Sequence, residues 1–277
     1  MRPLLAALIA MTAAVPLAVA TTANAGGPPR PPHKITVFVA GDSTAATWPA
    51  NTFPKAGWGQ ALPVFLNEHR ATVDNKALSG ASSKSFVEVG LLDAILSAIR
   101  PGDYLLISFG HNDEKTDDRH TDPYTTFQDY LNLYIDGARA QGAHPVLVTP
   151  VERRRFNAEG HATPSHGEYP AAMLALGATR HVPVIDLTTL SMALWDRAGV
   201  EGTKQYFLYA DAGTNPNFPD GVADNTHFQA HGAIEVARIV ADRLQAQRLV
   251  PPGLIRGLHR DVPDTALTWP ATVPVPA

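Results

Sequence analysis

The sequence predicts an α/β fold: a three-layer α/β/α sandwich on a five-stranded parallel sheet. Three observations carry this expectation. Short apolar, β-branched runs alternate with longer stretches of helical spacing between residues 34 and 247. The runs are apolar on both faces, as strands are when a sheet is covered on each side. Proline or glycine closes many of the segments, so the elements are separate and the connections short. Right-handed crossovers between parallel strands then place helices on both faces.

The first strand is read at Lys34–Ala40 (KITVFVA) and stops at Gly41. A helix is expected over Gly57–His69 and a second strand over Ala71–Ala77. Phe86–Ile99 has apolar residues at helical spacing and ends before Pro101. Asp103–Phe109 (DYLLISF) is the third strand, Tyr124–Gln141 a helix closed by Gly142, and Pro145–Thr149 the fourth strand. A helix over Tyr169–Arg180, a short fifth strand at Pro183–Asp186 and a helix over Thr188–Ala198 follow. Phe228–Gln247 is read as the last helix. Five such strands suggest the flavodoxin-like order 2-1-3-4-5, whose ligands bind beyond the carboxyl ends of the strands.

Composition bounds the function. The chain has 277 residues, 45% of them hydrophobic, which suits one globular domain with a full core. There are 22 Lys and Arg against 26 Asp and Glu, and no long basic run, so the footprint of a nucleic-acid binder is missing. Cysteine is absent, which removes disulfide scaffolds, thiol nucleophiles and thiolate metal sites together. Met1 and Arg2 precede an apolar stretch from Leu4 to Ala20, and Ala23-Asn24-Ala25 forms an A-x-A site ahead of Gly26. This is the pattern of a secretory signal peptide over residues 1–25. A Pro/Gly linker (26–33), a catalytic domain (34–250) and a Pro-rich tail (251–277) are expected to follow. The expectation is an exported monomer, extracellular or periplasmic, with no membrane segment after cleavage near Ala25-Gly26.

Chemistry is sought at the strand ends. Gly41-Asp42-Ser43-Thr44 follows the first strand, Asn75 to Gly80 the second, and Gly110-His111-Asn112-Asp113 the third. Asp224-Asn225-Thr226-His227 precedes the last helix. A serine hydroxyl attacks only when a base takes its proton. His227 is the candidate base for Ser43, and Asp224, three residues earlier, can orient its ring and stabilise the imidazolium. The backbone N–H groups of Ser43 and Gly80 and the Asn112 amide are candidate donors to an oxyanion. Asp42 is read as an Asx-turn residue. His111, Trp48 and Trp58 are candidate substrate contacts, with packing as their alternative.

These four blocks resemble the SGNH/GDSL hydrolases, over a span from about Ile35 to Ala241. The nearer likeness is to the rhamnogalacturonan acetylesterase family. It rests on GDSTAA (41–46), N-x-A-x-x-G-x-S-S-x-S-F (75–86), GHND (110–113), DNTHFQAHGA (224–233) and Gly57-Trp58-Gly59-Gln60. The resemblance implies an SGNH hydrolase fold and no cofactor or metal. It also implies a serine esterase that deacetylates a plant cell-wall polysaccharide, with Ser43, Asp224 and His227 as triad and Ser43, Gly80 and Asn112 as oxyanion donors. Two departures bear on the substrate: Ala81 and Lys84 stand where the family pattern has arginine. Arg153, Arg154 and Arg155 can meet an acidic pectic chain or form a solvated loop. An acetylxylan esterase, or a lipase or lysophospholipase of the same superfamily, is the alternative. A two-metal phosphoesterase using Asp42, His111, Asp113, Asp224 and His227, and a non-catalytic carbohydrate binder, are further ones.

Overall fold

The computed structural model describes residues 34–273, so the predicted signal peptide, the linker and the last four residues lie outside the described residues. The parallel strands are β1 (Ile35–Gly41), β3 (Ala71–Asn75), β4 (Tyr104–Ser108), β5 (His144–Val148) and β6 (Val184–Ile185). Their order is β3-β1-β4-β5-β6, the expected 2-1-3-4-5 when the parallel strands alone are numbered. Side chains alternate across a strand, so each strand feeds two cores. Val37, Val39, Leu106, Val146 and Val148 enter one core, and Phe38, Ala40, Leu105, Ile107 and Leu147 enter the other. The first core is closed by α1 (Trp58–Ala61), α6 (Leu187–Gly202) and α7 (Ala230–Ala246). The second is closed by α2 (Ser83–Glu88), α3 (Leu91–Ala98), α4 (Thr126–Ala140) and α5 (Tyr169–Arg180). The three-layer sandwich is therefore present. No helix among the described residues is long and apolar enough to cross a membrane.

Several boundaries differ from the sequence reading. The helix expected over 57–69 is the four-residue α1 followed by a 3-10 turn, Leu62–Phe65, with Pro63 near its start. Proline has no N–H to continue the α-helical ladder. The helix expected over 86–99 is two helices. The first starts earlier, on a capping box between Ser82 and Ser85, and Gly90 separates the two with φ of 75°. The segment expected to begin the last helix at Phe228 is instead the end of strand β8 (Val222–Gln229). It forms an unpredicted three-stranded antiparallel sheet in the order β2-β8-β7, with β2 at Lys55–Ala56 and β7 at Phe207–Ala210. Phe228 is buried against Trp195 and Phe207, and this packing, not propensity, holds the polar sequence Asp224 to His227 in a strand.

Packing continues past residue 250. Leu254 is fully buried, Ile255 bridges to Leu66, and the Asn67 N–H donates to the Leu254 carbonyl at 2.8 Å. Arg238 donates to the carbonyls of Leu258 (2.6 Å) and Arg260 (3.0 Å), and Trp269 Nε1 donates to the Lys55 carbonyl at 2.7 Å. The Pro-rich segment, as far as it is described, is thus part of the domain rather than an appendage. Leu254→Ala empties a fully buried site and is expected to cost about 2–5 kcal/mol, read as a lowered midpoint in chemical denaturation.

A buried carboxylate joins α2 to the loop after β4. Asp113 Oδ1 accepts from the Ser83 N–H (3.0 Å), the Ser83 hydroxyl and the Thr121 hydroxyl (3.1 Å), while Oδ2 meets no donor. Burial raises its pKa to about 6 against the pull of those bonds. The folded carboxyl therefore keeps its proton at pH values where the unfolded one, at about 4, has lost it. Stability from this group is full below the unfolded value and is lost as pH rises through the folded one. In thermal melts the wild type should lose stability relative to Asp113→Asn between about pH 4.5 and pH 7, because the amide does not give up a proton as the carboxyl does. A pH-independent difference, or the opposite trend, refutes the assignment.

Candidate active site

The turn after β1 is built by Asp42. Its Oδ1 accepts from the Thr44 N–H (2.9 Å) and hydroxyl (2.8 Å), and its carbonyl accepts from the Ala45 and Ala46 N–H groups. The Asx turn expected for Asp42 is present, and it leaves Ser43 between the strand and the returning chain. Asn75, at the end of β3, braces the same turn by donating to the Ala45 carbonyl (2.8 Å) and the Thr47 hydroxyl (3.0 Å).

Strand β8 brings the second half of the site. His227 Nε2 lies 3.0 Å from Ser43 Oγ, across 184 residues of sequence, and Nδ1 lies 2.6 Å from Asp224 Oδ2. Asp224 Oδ1 is held by the Thr226 (2.8 Å) and His227 (3.0 Å) N–H groups. Burial alone would raise the Asp224 pKa; the hydrogen bonds and charge of His227 and the Thr226 N–H outweigh it and hold the carboxyl well below its usual range. Asp224 thus stays ionised, with one oxygen fixed to the backbone and the other free to orient the imidazole. In a neutral ring the proton is then on Nδ1, and Nε2 faces Ser43 as an acceptor.

Gly80 lies in the turn after β3 and Asn112 in the turn after β4, and the two turns are joined through Ala81 and Arg119. Gly80 has φ of 83°, and a Cβ built there would come no nearer than 3.8 Å to any neighbour, so backbone conformation and not space requires glycine. Among the described residues the Ser43 and Gly80 N–H groups meet no acceptor. Asn112 Nδ2 gives one proton to the Ala81 carbonyl (2.9 Å) and keeps a second. Arg119, not singled out by the sequence, adds an outer brace. Its NH1 reaches the Gly80 carbonyl (3.3 Å) and Asn112 Oδ1 (3.4 Å), while Asp117 holds Nε at 2.9 Å and NH2 at 2.6 Å.

The substrate-contact candidates separate. Trp58 is completely buried in the first core, so it has no ring face for a sugar and is corrected to a packing residue. His111 is also buried, and its Nε2 meets the Val151 carbonyl at 2.9 Å. Burial, then the nearby His166 and Arg153, push its pKa well down, so it is a neutral packing ring rather than a substrate contact. Trp48 lies beside the site: Nε1 donates to the Ser43 carbonyl (3.2 Å), and its ring meets His227 edge-on at 5.7 Å. Lys55, which the sequence reading passed over, places its ammonium 3.6 Å from the centre of the same ring.

The arginine triplet is largely structural. Arg153 pairs with Glu114 at 2.6 Å, and Arg154 donates to Thr203, Asn225, Tyr209 and the Val200 carbonyl. Arg155 is exposed and reaches the Pro164 carbonyl at 3.4 Å. Lys84 lies 3.9 Å from Glu88, and Ala81 is buried. Among the described residues no three His, Asp or Glu side chains converge to hold a metal ion. Asp42 is committed to Thr44, and Asp113 to Ser83 and Thr121.

Residues 39–234 match the GDSL-like lipase/acylhydrolase family. The chain is 49% identical over 211 residues, 76% of its length and 90% of the relative's, to rhamnogalacturonan acetylesterase RhgT of Bacillus subtilis (strain 168). It is 41% identical over 207 residues, 74% of this chain and 90% of the relative, to the probable rhamnogalacturonan acetylesterase YesY of the same organism. The crystal structure of YxiM from Bacillus subtilis superimposes with a TM-score of 0.68 at 32% identity, covering 81% of this chain but 59% of that one. With that fold and that span of sequence, the chain belongs to the GDSL-like lipase/acylhydrolase family and is a carboxylic ester hydrolase.

Proposed function

We propose that the protein is a secreted serine acetylesterase acting on rhamnogalacturonan, a pectic polysaccharide, through an acetyl-serine intermediate. The observation that carries the mechanism is the relay from Asp224 through His227 to Ser43, at 2.6 and 3.0 Å. The substrate class rests on the two Bacillus relatives named for it, at 49% and 41% identity. Secretion rests on the N-terminal sequence.

Ser43 Oγ attacks the acetyl carbonyl while His227 Nε2 takes its proton. Negative charge gathers on the former carbonyl oxygen, and the Ser43 N–H, the Gly80 N–H and the second Asn112 Nδ2 proton receive it. Collapse expels the sugar oxygen, which takes the proton back from His227. A water then repeats the sequence on the acetyl-serine and releases acetate. Asp224 keeps the ring oriented throughout and stabilises the imidazolium.

Acetate release from acetylated rhamnogalacturonan, acetylated xylan and a triglyceride, by wild type and Ser43→Ala, tests the reading. Release from the pectic polymer by wild type alone is expected. Equal release by Ser43→Ala overturns the serine mechanism, and release only from xylan or lipid overturns the substrate. Asp224→Asn is expected to lower kcat by about 10⁴ through loss of the correct tautomer. Asn112→Ala should lower it by about 10²–10³ with KM little changed, since that donor matters most in the transition state. A loss confined to KM in either variant contradicts its role.

A further inference from the structure

We propose that the Lys55 ammonium, seated on the indole of Trp48 beside His227, forms a carboxylate-recognising subsite for the sugar side of the ester. This deepens the pectic reading above and rests on it for the kind of sugar chain involved.

Strand β2 sets the position. It pairs with β8 in the register Lys55 with Gln229 and Ala56 with Phe228, so the Lys55 backbone runs alongside the strand that carries His227. Trp269 fixes that backbone from outside by donating to the Lys55 carbonyl at 2.7 Å. The side chain then reaches 3.6 Å from the Trp48 ring centre, and the same ring is edge-on to His227 and bonded to the Ser43 carbonyl.

The ammonium is unusual in its surroundings. Four other cations of the region have carboxylate partners, Arg119 with Asp117, Arg153 with Glu114, Lys76 with Asp74 and Lys84 with Glu88, and Arg154 is held by Thr203, Tyr209, Asn225 and the Val200 carbonyl. Among the described residues Lys55 Nζ makes no hydrogen bond or ion pair, although the residue is half-buried. Burial lowers its pKa, and the Asp224 charge acts in the opposite direction without reaching ion-pair distance. Asp224 is in any case engaged by His227 and by two backbone N–H groups. A desolvated charge is costly unless paired, and an indole face compensates only part of that cost. An anion arriving with the substrate would complete it.

Geometry assigns that anion to the leaving group. His227 Nε2 must hand its proton to the departing sugar oxygen, so the sugar passes against the His227 ring. Trp48 meets that ring at its edge, and Lys55 lies over Trp48. A carboxylate on the acetylated sugar, or on its neighbour in the chain, is the acidic group a pectic polymer offers there.

The test uses full-length enzyme hydrolysing p-nitrophenyl acetate, with oligogalacturonate and its carboxyl-reduced, neutral counterpart as competitors. Oligogalacturonate is expected to inhibit the wild type competitively, with a Ki that rises with added salt. In Lys55→Met that Ki should increase about tenfold or more, and in Lys55→Arg it should change by less than about threefold. The neutral oligomer should show one Ki in all three proteins. An unchanged Ki in Lys55→Met, equal weakening of both oligomers, or no inhibition of the wild type overturns the subsite. The salt series on unaltered enzyme decides the matter even if Lys55→Met fails to fold: a salt-independent Ki overturns it. Inhibition behaving as expected, with no acetate released from acetylated rhamnogalacturonan, would sink the proposed substrate and leave the subsite standing.

Discussion

The structure turns on the pairing of β8 with β7 and β2. This small sheet lies outside the parallel one, yet it decides where Asp224 and His227 stand. Phe228 anchors it in the core beside Trp195 and Phe207, and the next residues enter α7, whose apolar face closes the first core. Without that anchor the residues Asp224 to His227 have little hydrophobicity to hold them in place. The imidazole is therefore aimed by burial two steps removed from it.

The other half of the site depends on turns rather than strands. Asp42 folds the chain back after β1, Asn75 ties that turn to the end of β3, and Asp113 ties the loop after β4 to the start of α2. Each of these polar groups is at least partly buried and spends its hydrogen bonds on backbone or hydroxyl partners. Buried polar networks of this kind specify one arrangement, because any other leaves a desolvated group unpaired. Val151 does similar work by receiving both His111 and His166 at its carbonyl.

The sheet was legible in the sequence because its strands are short and apolar on both faces, which two-sided burial demands. Ser43, Gly80, Asn112, Asp224 and His227 are legible because each stands in a compact motif; the structure joins Asp224, His227 and Ser43 by hydrogen bonds, and Asn112 to the turn that carries Gly80. What stayed hidden depends on contacts between distant segments. No local pattern marks Lys55 or Arg119. The strand Val222–Gln229 is mostly polar and reads as a loop, since its stability comes from partners at 55–56 and 207–210. Trp58 stays open in the sequence between packing and substrate contact, because an aromatic residue near a motif looks available until the core around it is known. The tail was equally opaque, because proline content says nothing about whether Leu254 finds a pocket.

The wide separation in sequence between Ser43 and His227 has a kinetic consequence. Bringing such distant segments together carries the closure entropy of a long intervening chain, and topologies rich in such contacts fold slowly. The hydrogen bond between these two side chains joins the turn after β1 of the parallel sheet to β8 of the small sheet, so it requires both to be docked. A refolding intermediate with a native-like sheet but an undocked β8 would regain its far-UV dichroism and remain inert. Recovered hydrolysis therefore reports completion of the fold, where spectroscopic signals report only its beginning.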